Sequence, residues 1–238
     1  HDLLSTYRDD FAKYSGRMPI ERLDEVLQAV PRMLGEKFVY SKVNKATKIA
    51  SIKQSLSLLT QARICYRVIA THGNGVPLSA ETNEKFSKVI FLDVGLVGAT
   101  LGLNLSQILK TGDINLVNQG GVSEQVVGQM LRAMTPYYIA PALHYWAREE
   151  KSASAEIDYV IQHQSAVVPI EVKSGSTGSL KSLHQFMYQK QLPVAVRINA
   201  DHPSVTPMDV KVASGGSVQY QLISLPFYLT GQLDRLLA

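Results

Sequence analysis

Two apolar, strand-like runs of this chain carry charge where a sheet interior would favour more valine. "AEIDYVIQ" holds Asp158, and "VPIEVKSG" holds Glu171 and Lys173. Strand side chains alternate sides, so Val168, Ile170 and Val172 point one way and Glu171 and Lys173 the other. Asp158, on the preceding strand, is placed to share their space. Two carboxylates converging from neighbouring strands suit a hard divalent cation, Mg²⁺ or Mn²⁺, which prefers oxygen ligands and keeps several waters. A lysine beside them can orient or deprotonate a metal-bound water, or steady a charged transition state. Such a set attacks a phosphodiester. Glu156, two residues before Asp158, is placed to substitute for it.

The acid-x-Lys spacing alone carries little weight, because it recurs at Glu149-Glu150-Lys151 and at Asp209-Val210-Lys211. Context separates Glu171 and Lys173 from the others: an apolar strand, an acidic strand before it, and an upstream helix bearing Glu124. The plainer alternatives are a surface ion pair for Glu171 and Lys173 and a macrodipole role for Glu124 in an early helical turn. Asp158 has the least comfortable plain reading, since a lone acid among Ile157, Tyr159, Val160 and Ile161 needs a partner.

Elements must position these groups. Hydrophobic periodicity predicts helices over residues 3–14 and 20–34, the second kinked or shortened by Pro31. A short helix over 42–46, capped by Ser41, and a helix over 51–62 burying Ile52, Leu56 and Leu59 follow. "ICYRVIA" and "KVIFLDVG" read as strands around the loop "THGNGVPLS". Three helices, a strand, a loop and a strand are the order of a winged helix-turn-helix. Further on come a polar connector with short helical pieces over 106–121, an amphipathic helix over 120–134, and strands at "LHYWARE", 156–163 and 166–173. A loop ("GSTGS"), a helix over 179–190, a strand at "LPVAVRIN", a hairpin about Gly215-Gly216 and a closing helix in "LPFYLTGQLDRLL" complete the chain. This is an α/β order around a mixed sheet with helices on its faces.

Charge singles out the first region. The 238 residues carry a net charge of +4, yet eight Lys or Arg and a single acid, Glu36, lie between Arg32 and Arg67. Lys42, Lys45, Lys48 and Lys53 coincide with the expected helix-turn-helix, which points to contacts with DNA phosphates; a protein-docking winged helix is the alternative. One cysteine, Cys65, excludes an intrachain disulfide and a thiolate metal cluster, and it is expected buried and inert. No apolar run is long enough to span a bilayer and nothing at the start resembles a signal peptide, so no membrane association and a cytoplasmic location are expected. His144, His163 and His184 show no metal-ligand spacing. Asp93 is expected to cap the helix that follows its strand, with a metal role as the alternative. The loop 174–179 is expected to be a flexible connector, with a phosphate cradle as the alternative.

Glu…Asp…Glu-x-Lys in the order helix, strand, strand resembles the PD-(D/E)xK superfamily of restriction-endonuclease-like nucleases. That resemblance implies Glu124 as the helix acid, Asp158 and Glu171 as the strand acids, Lys173 as the lysine, and Gln185 of "SLHQFMYQK" as a later positioning residue. "YRDDFAKYS", "KVIFLDVGLVGATLGL", "GGVSEQVVGQML", "LHYWARE", "AEIDYVIQ", "VPIEVKSG" and "SLHQFMYQ", in that order, resemble the C-terminal region of a family of predicted prokaryotic AAA-type ATPases. The resemblance implies a linking helix over 1–20, a winged helix-turn-helix over 21–103 and a nuclease-like domain over 104–238. It also implies an ATPase module in a full-length protein or a partner. The sequence has no Gly-x-x-x-x-Gly-Lys-Ser/Thr loop, so no ATP hydrolysis is expected of it. The expected function is DNA binding with Mg²⁺-dependent nuclease chemistry; the alternative is an inactive nuclease fold serving as a DNA- or protein-interaction scaffold.

Overall fold

The computed structural model describes residues 2–11, 19–102, 119–148, 155–213 and 215–238. Among them the protein is α/β: N-terminal helices followed by an eight-stranded mixed sheet flanked by helices. The chain divides into two compact units, His1–Arg67 with Lys88–Gln125, and Val68–Ser87 with Val126–Ala238.

The first unit opens with α1 (Asp2–Phe11) and α2 (Ile20–Ala29). Leu23, Val26 and Leu27 recur along one side of α2 and are fully buried. Pro31 brings no amide hydrogen to continue the ladder, and the chain tightens into a 3₁₀ turn over Val30–Met33. Next are α3 (Tyr40–Val43) and α4 (Ile49–Gln61), and α4 buries Ile52, Leu56 and Leu59. The expected Ser41 cap is a correction: α3 begins two residues earlier than expected, at Tyr40, with Val39 in the cap position and no side-chain cap. Phe38, Cys65, Val89, Phe91 and Val97 complete this core. Burial pushes the Cys65 thiol far above its ordinary range, which suits an inert packing role.

The strands β1 (Cys65–Thr71) and β2 (Thr82–Phe91) flank a loop and a 3₁₀ turn over Leu78–Glu81. Leu92 N–H donates to Ile64 O at one end of this hairpin, and His72 N–H to Glu81 O at the other. Both strands also join the eight-stranded sheet. After β2, Asp93 caps α5 (Val94–Thr100), accepting from Gly95 N–H at 2.7 Å. A Cβ on residue 95 would itself lie 2.7 Å from that carboxylate oxygen, which accounts for the Asp-Val-Gly spacing.

Beyond α6 (Gln119–Met134) come β3 (Leu143–Ala147), β4 (Glu156–His163), β5 (Ala166–Val172), α7 (Lys181–Lys190), β6 (Val194–Asn199), β7 (Ser204–Lys211) and β8 (Ser217–Pro226). The sheet order is β2-β1-β3-β4-β5-β6-β8-β7. β1 with β3 and β5 with β6 and β8 are parallel pairs, whereas β4 and β7 run antiparallel to their neighbours. Gln164, with φ of 52°, turns β4 into β5. Leu183, Phe186 and Met187 of α7 bury against Ile157, Val160, Val167, Ala195 and Leu222, the core of the second unit. The expected closing helix is a further correction. β8 runs on to Pro226, and only a 3₁₀ segment (Phe227–Gln232) and a one-turn α8 (Leu233–Leu236) follow. Of the expected connector over 106–121, residues 106–118 lie outside the described residues and 119–121 open α6, and Glu149-Glu150-Lys151 lies outside them too. No described helix is long and apolar enough to cross a membrane.

Candidate functional site

The end of β5 gathers most of the chemistry. Lys173 N–H donates to Ile198 O of β6 at 2.8 Å. Successive amides in a strand point opposite ways, so Val172 N–H faces β4. It meets Oδ2 of Asp158 there at 2.7 Å. The detour that makes this possible lies in β4. Trp146 pairs with Ile157 and His144 with Val160, so Tyr145 alone stands against both Asp158 and Tyr159. The extra residue is a bulge, which interrupts pairing and re-aims a side chain. Asp158 thus finds its partner in the backbone of the strand that carries Glu171 and Lys173.

Lys173 Nζ donates to Glu171 Oε1 at 2.7 Å, with side chains 25% and 7% exposed. A carboxylate this enclosed needs a cation close by, and Lys173 supplies it. The loop that follows folds back on the lysine. A Cβ on Gly178 would stand 2.7 Å from the Lys173 Cδ, so only glycine lets the loop lie on the lysine stem. Ala200 N–H donates to Gly175 O, and Asn199 Nδ2 to Ser176 O. The expected flexible connector is therefore fastened to β6. Asp158, Glu171 and Lys173 stand at the carboxyl ends of parallel β5 and β6, the edge where α/β sheets place ligands.

Gln185 lies half-buried on α7. Its neighbour His184 meets the Tyr220 hydroxyl of β8 at 2.9 Å through Nδ1. Glu124, on α6 in the first unit, pairs with Lys88 at 2.8 Å, the two side chains being 14% and 3% exposed. Gln125 beside it binds both the N–H and the carbonyl of Phe91 at 2.8 and 2.9 Å, filling a place a neighbouring strand would take. Among the described residues no three His, Cys, Asp or Glu side chains gather to hold a metal. The donors at the β4–β5 end are the carboxylates of Asp158 and Glu171, hard oxygen ligands of the kind Mg²⁺ uses together with water.

In the first unit, Asn44 Nδ2 donates to Glu25, and Arg22 bridges Glu25 and Thr47. These bonds tie the turn between α3 and α4 to α2. Lys42, Lys45, Lys48 and Lys53 are all exposed. Lys42 lies 3.4 Å from Glu36, and Lys53 sits 5.4 Å above the Tyr40 ring.

Sequence reasoning passed over Arg197, whose Nε donates to Ser224 Oγ at 3.1 Å. The available signal was a lone arginine in the apolar run "LPVAVRIN".

Two family models match the chain. Residues 1–107 match a domain of unknown function, DUF8612. Residues 119–215 match another, DUF4143, a domain found at the C-terminus of AAA-ATPase-associated proteins. The second match includes Asp158, Glu171, Lys173, Gln185 and Arg197. No curated protein and no solved structure matches the chain.

Proposed function

We propose that this chain binds DNA through the helix-turn-helix of α3 and α4, and that its second unit carries a Mg²⁺-dependent site for phosphodiester hydrolysis. The observation that carries the reading is the Glu171–Lys173 pair beside Asp158 at the carboxyl edge of the sheet. Asp158 and Glu171 would hold a divalent cation, which would supply charge neutralisation and activate water when bound. Lys173, as an ammonium already bonded to Glu171, is suited to hold the growing charge on the phosphoryl oxygens rather than to take a proton from water. Gln185 positions the attacking water or the strand. The match to a domain of ATPase-associated proteins supports a role beside an ATPase module, in the same protein or in a partner. A cytoplasmic location fits such a role.

A second reading follows from the same bonds. Asp158 and Glu171 each already bond within the protein, which favours a scaffold role. Mn²⁺ binding followed by electron paramagnetic resonance separates the two. Wild type should bind, Asp158→Ala should lose at least tenfold in affinity, and wild type should nick plasmid DNA in Mg²⁺. Absence of both binding and nicking would establish the scaffold.

A further inference from the structure

Arg197 of β6 is in register with Glu171 of β5 on one side and Ser224 of β8 on the other. Residues in register share a face of the sheet, so the three form a row. Two residues back along β6 and β8, Ala195 and Leu222 pack under Leu183, Phe186 and Met187, so this is the face that α7 covers.

Arg197 is half-buried, and its Nε bond to the fully buried Ser224 sets the plane of the guanidinium. The two Nη groups have no acceptor among the described residues. A guanidinium drawn partly out of water calls for an acidic partner, yet the adjacent Glu171 is engaged by Lys173. The fork geometry left over matches two oxygens of one phosphate.

A second donor comes from α7. Tyr220 lies on the same face of β8, and burial pushes its phenol up to about 12 while Arg197 draws it the other way. Burial also holds the His184 imidazole below its ordinary value. A neutral imidazole can accept the phenol's hydrogen bond at Nδ1 across the 2.9 Å contact between them. In that tautomer Nε2 carries the ring proton and is a donor in its own right.

We propose that Arg197, together with His184 across Tyr220, forms a phosphate subsite for a DNA strand whose neighbouring phosphate lies at Glu171 and Lys173. It rests on the nuclease reading for the identity of the strand but not on catalysis. Lys173 and Arg197 then hold successive phosphates, and the row across β5, β6 and β8 sets the direction of the strand.

The test is fluorescence anisotropy with a labelled single-stranded oligonucleotide in Ca²⁺. The background is the full chain with Lys45, Lys48 and Lys53 replaced by alanine, so that the first unit does not mask the subsite. Arg197→Gln keeps a donor for Ser224; it should weaken binding about tenfold and lower the slope of log affinity against log salt by about one. Arg197→Lys keeps the charge, so it should retain the slope and lose affinity by about threefold. His184→Ala should weaken binding by a smaller factor. Thermal melts confirm that each variant is folded; should Arg197→Gln fail to fold, the lysine and alanine variants carry the test. Unchanged affinity and slope in the folded Arg197 variants would overturn the subsite. Mn²⁺ binding and plasmid nicking are read separately, so failure of the nuclease site leaves the anisotropy result standing, and the reverse also holds.

Discussion

At Lys173 a single ammonium compensates the enclosed carboxylate of Glu171, and under the proposed reading it also holds a phosphate at the sheet edge. Replacing it with methionine leaves Glu171 without that cation. Lys173→Met should cost about 2 kcal/mol in urea unfolding at neutral pH, and adding Glu171→Gln should recover most of the loss. A double-mutant cycle with no coupling between the two positions contradicts this view of the pair. Gly178 belongs to the same scale. Gly178→Val sets a branched side chain against the lysine stem. It should reduce nicking by at least tenfold while moving the melting midpoint much less than Lys173→Met does, because the loop can lift away from β6 more cheaply than the sheet can rearrange.

Among the elements, β4 shows how one inserted residue decides a site. Regular alternation along "EIDYVIQ" describes side-chain directions only while the pairing is regular. The bulge at Asp158 and Tyr159 resets that alternation, and the carboxylate ends on a backbone amide of β5. The junctions of the first unit rely on side chains that imitate backbone. Asp93→Ala removes the α5 cap and should cost about 1 kcal/mol. Gln125→Leu strips both groups of Phe91 of their partner in a fully buried place, and should cost about 2 kcal/mol or more. Chemical denaturation measures both, and Gln125→Leu should be the larger effect.

At the scale of the molecule, pH and salt report on different parts. His144 on β3 is buried, its Nε2 lies 3.4 Å from the Ser79 hydroxyl, and burial lowers its affinity for protons against a smaller opposing pull from Glu84. His184 shifts the same way, again through burial. Both imidazoles are harder to protonate folded than unfolded. Their contribution is intact above the ordinary value of 6.5 and is lost as pH falls through the lowered folded values. The melting temperature should therefore decline between about pH 7.5 and about pH 5, and less steeply in His144→Gln. A flat profile contradicts the burial argument. Salt acts on the exposed lysines: replacing Lys45, Lys48 and Lys53 with alanine should reduce the salt slope of DNA binding by about one for each phosphate the lysines no longer neutralise.

Much of the architecture was legible in the one-dimensional pattern. The periodicity of Leu23, Val26 and Leu27, the Pro31 break, the Asp93 cap and the run of strands all depend on neighbours a few residues apart, where local sterics and burial act directly. The Ser41 cap and the closing helix were misread for the converse reason: the chain entering α3 starts its turn before the serine, and pairing with β6 and β7 holds residues 217–226 extended. The candidate site divides along the same line. Alternation on β5 placed Glu171 and Lys173 on one side, and they meet. The partner of Asp158, the Lys88 pairing of Glu124 and the row from Glu171 through Arg197 to Ser224 depend on strand register and on a bulge. Residue types and short spacings determined which groups were available for chemistry. Which of them touch was decided by the tertiary structure alone, because register joins residues far apart in the chain and a single inserted residue redirects the side chain it carries.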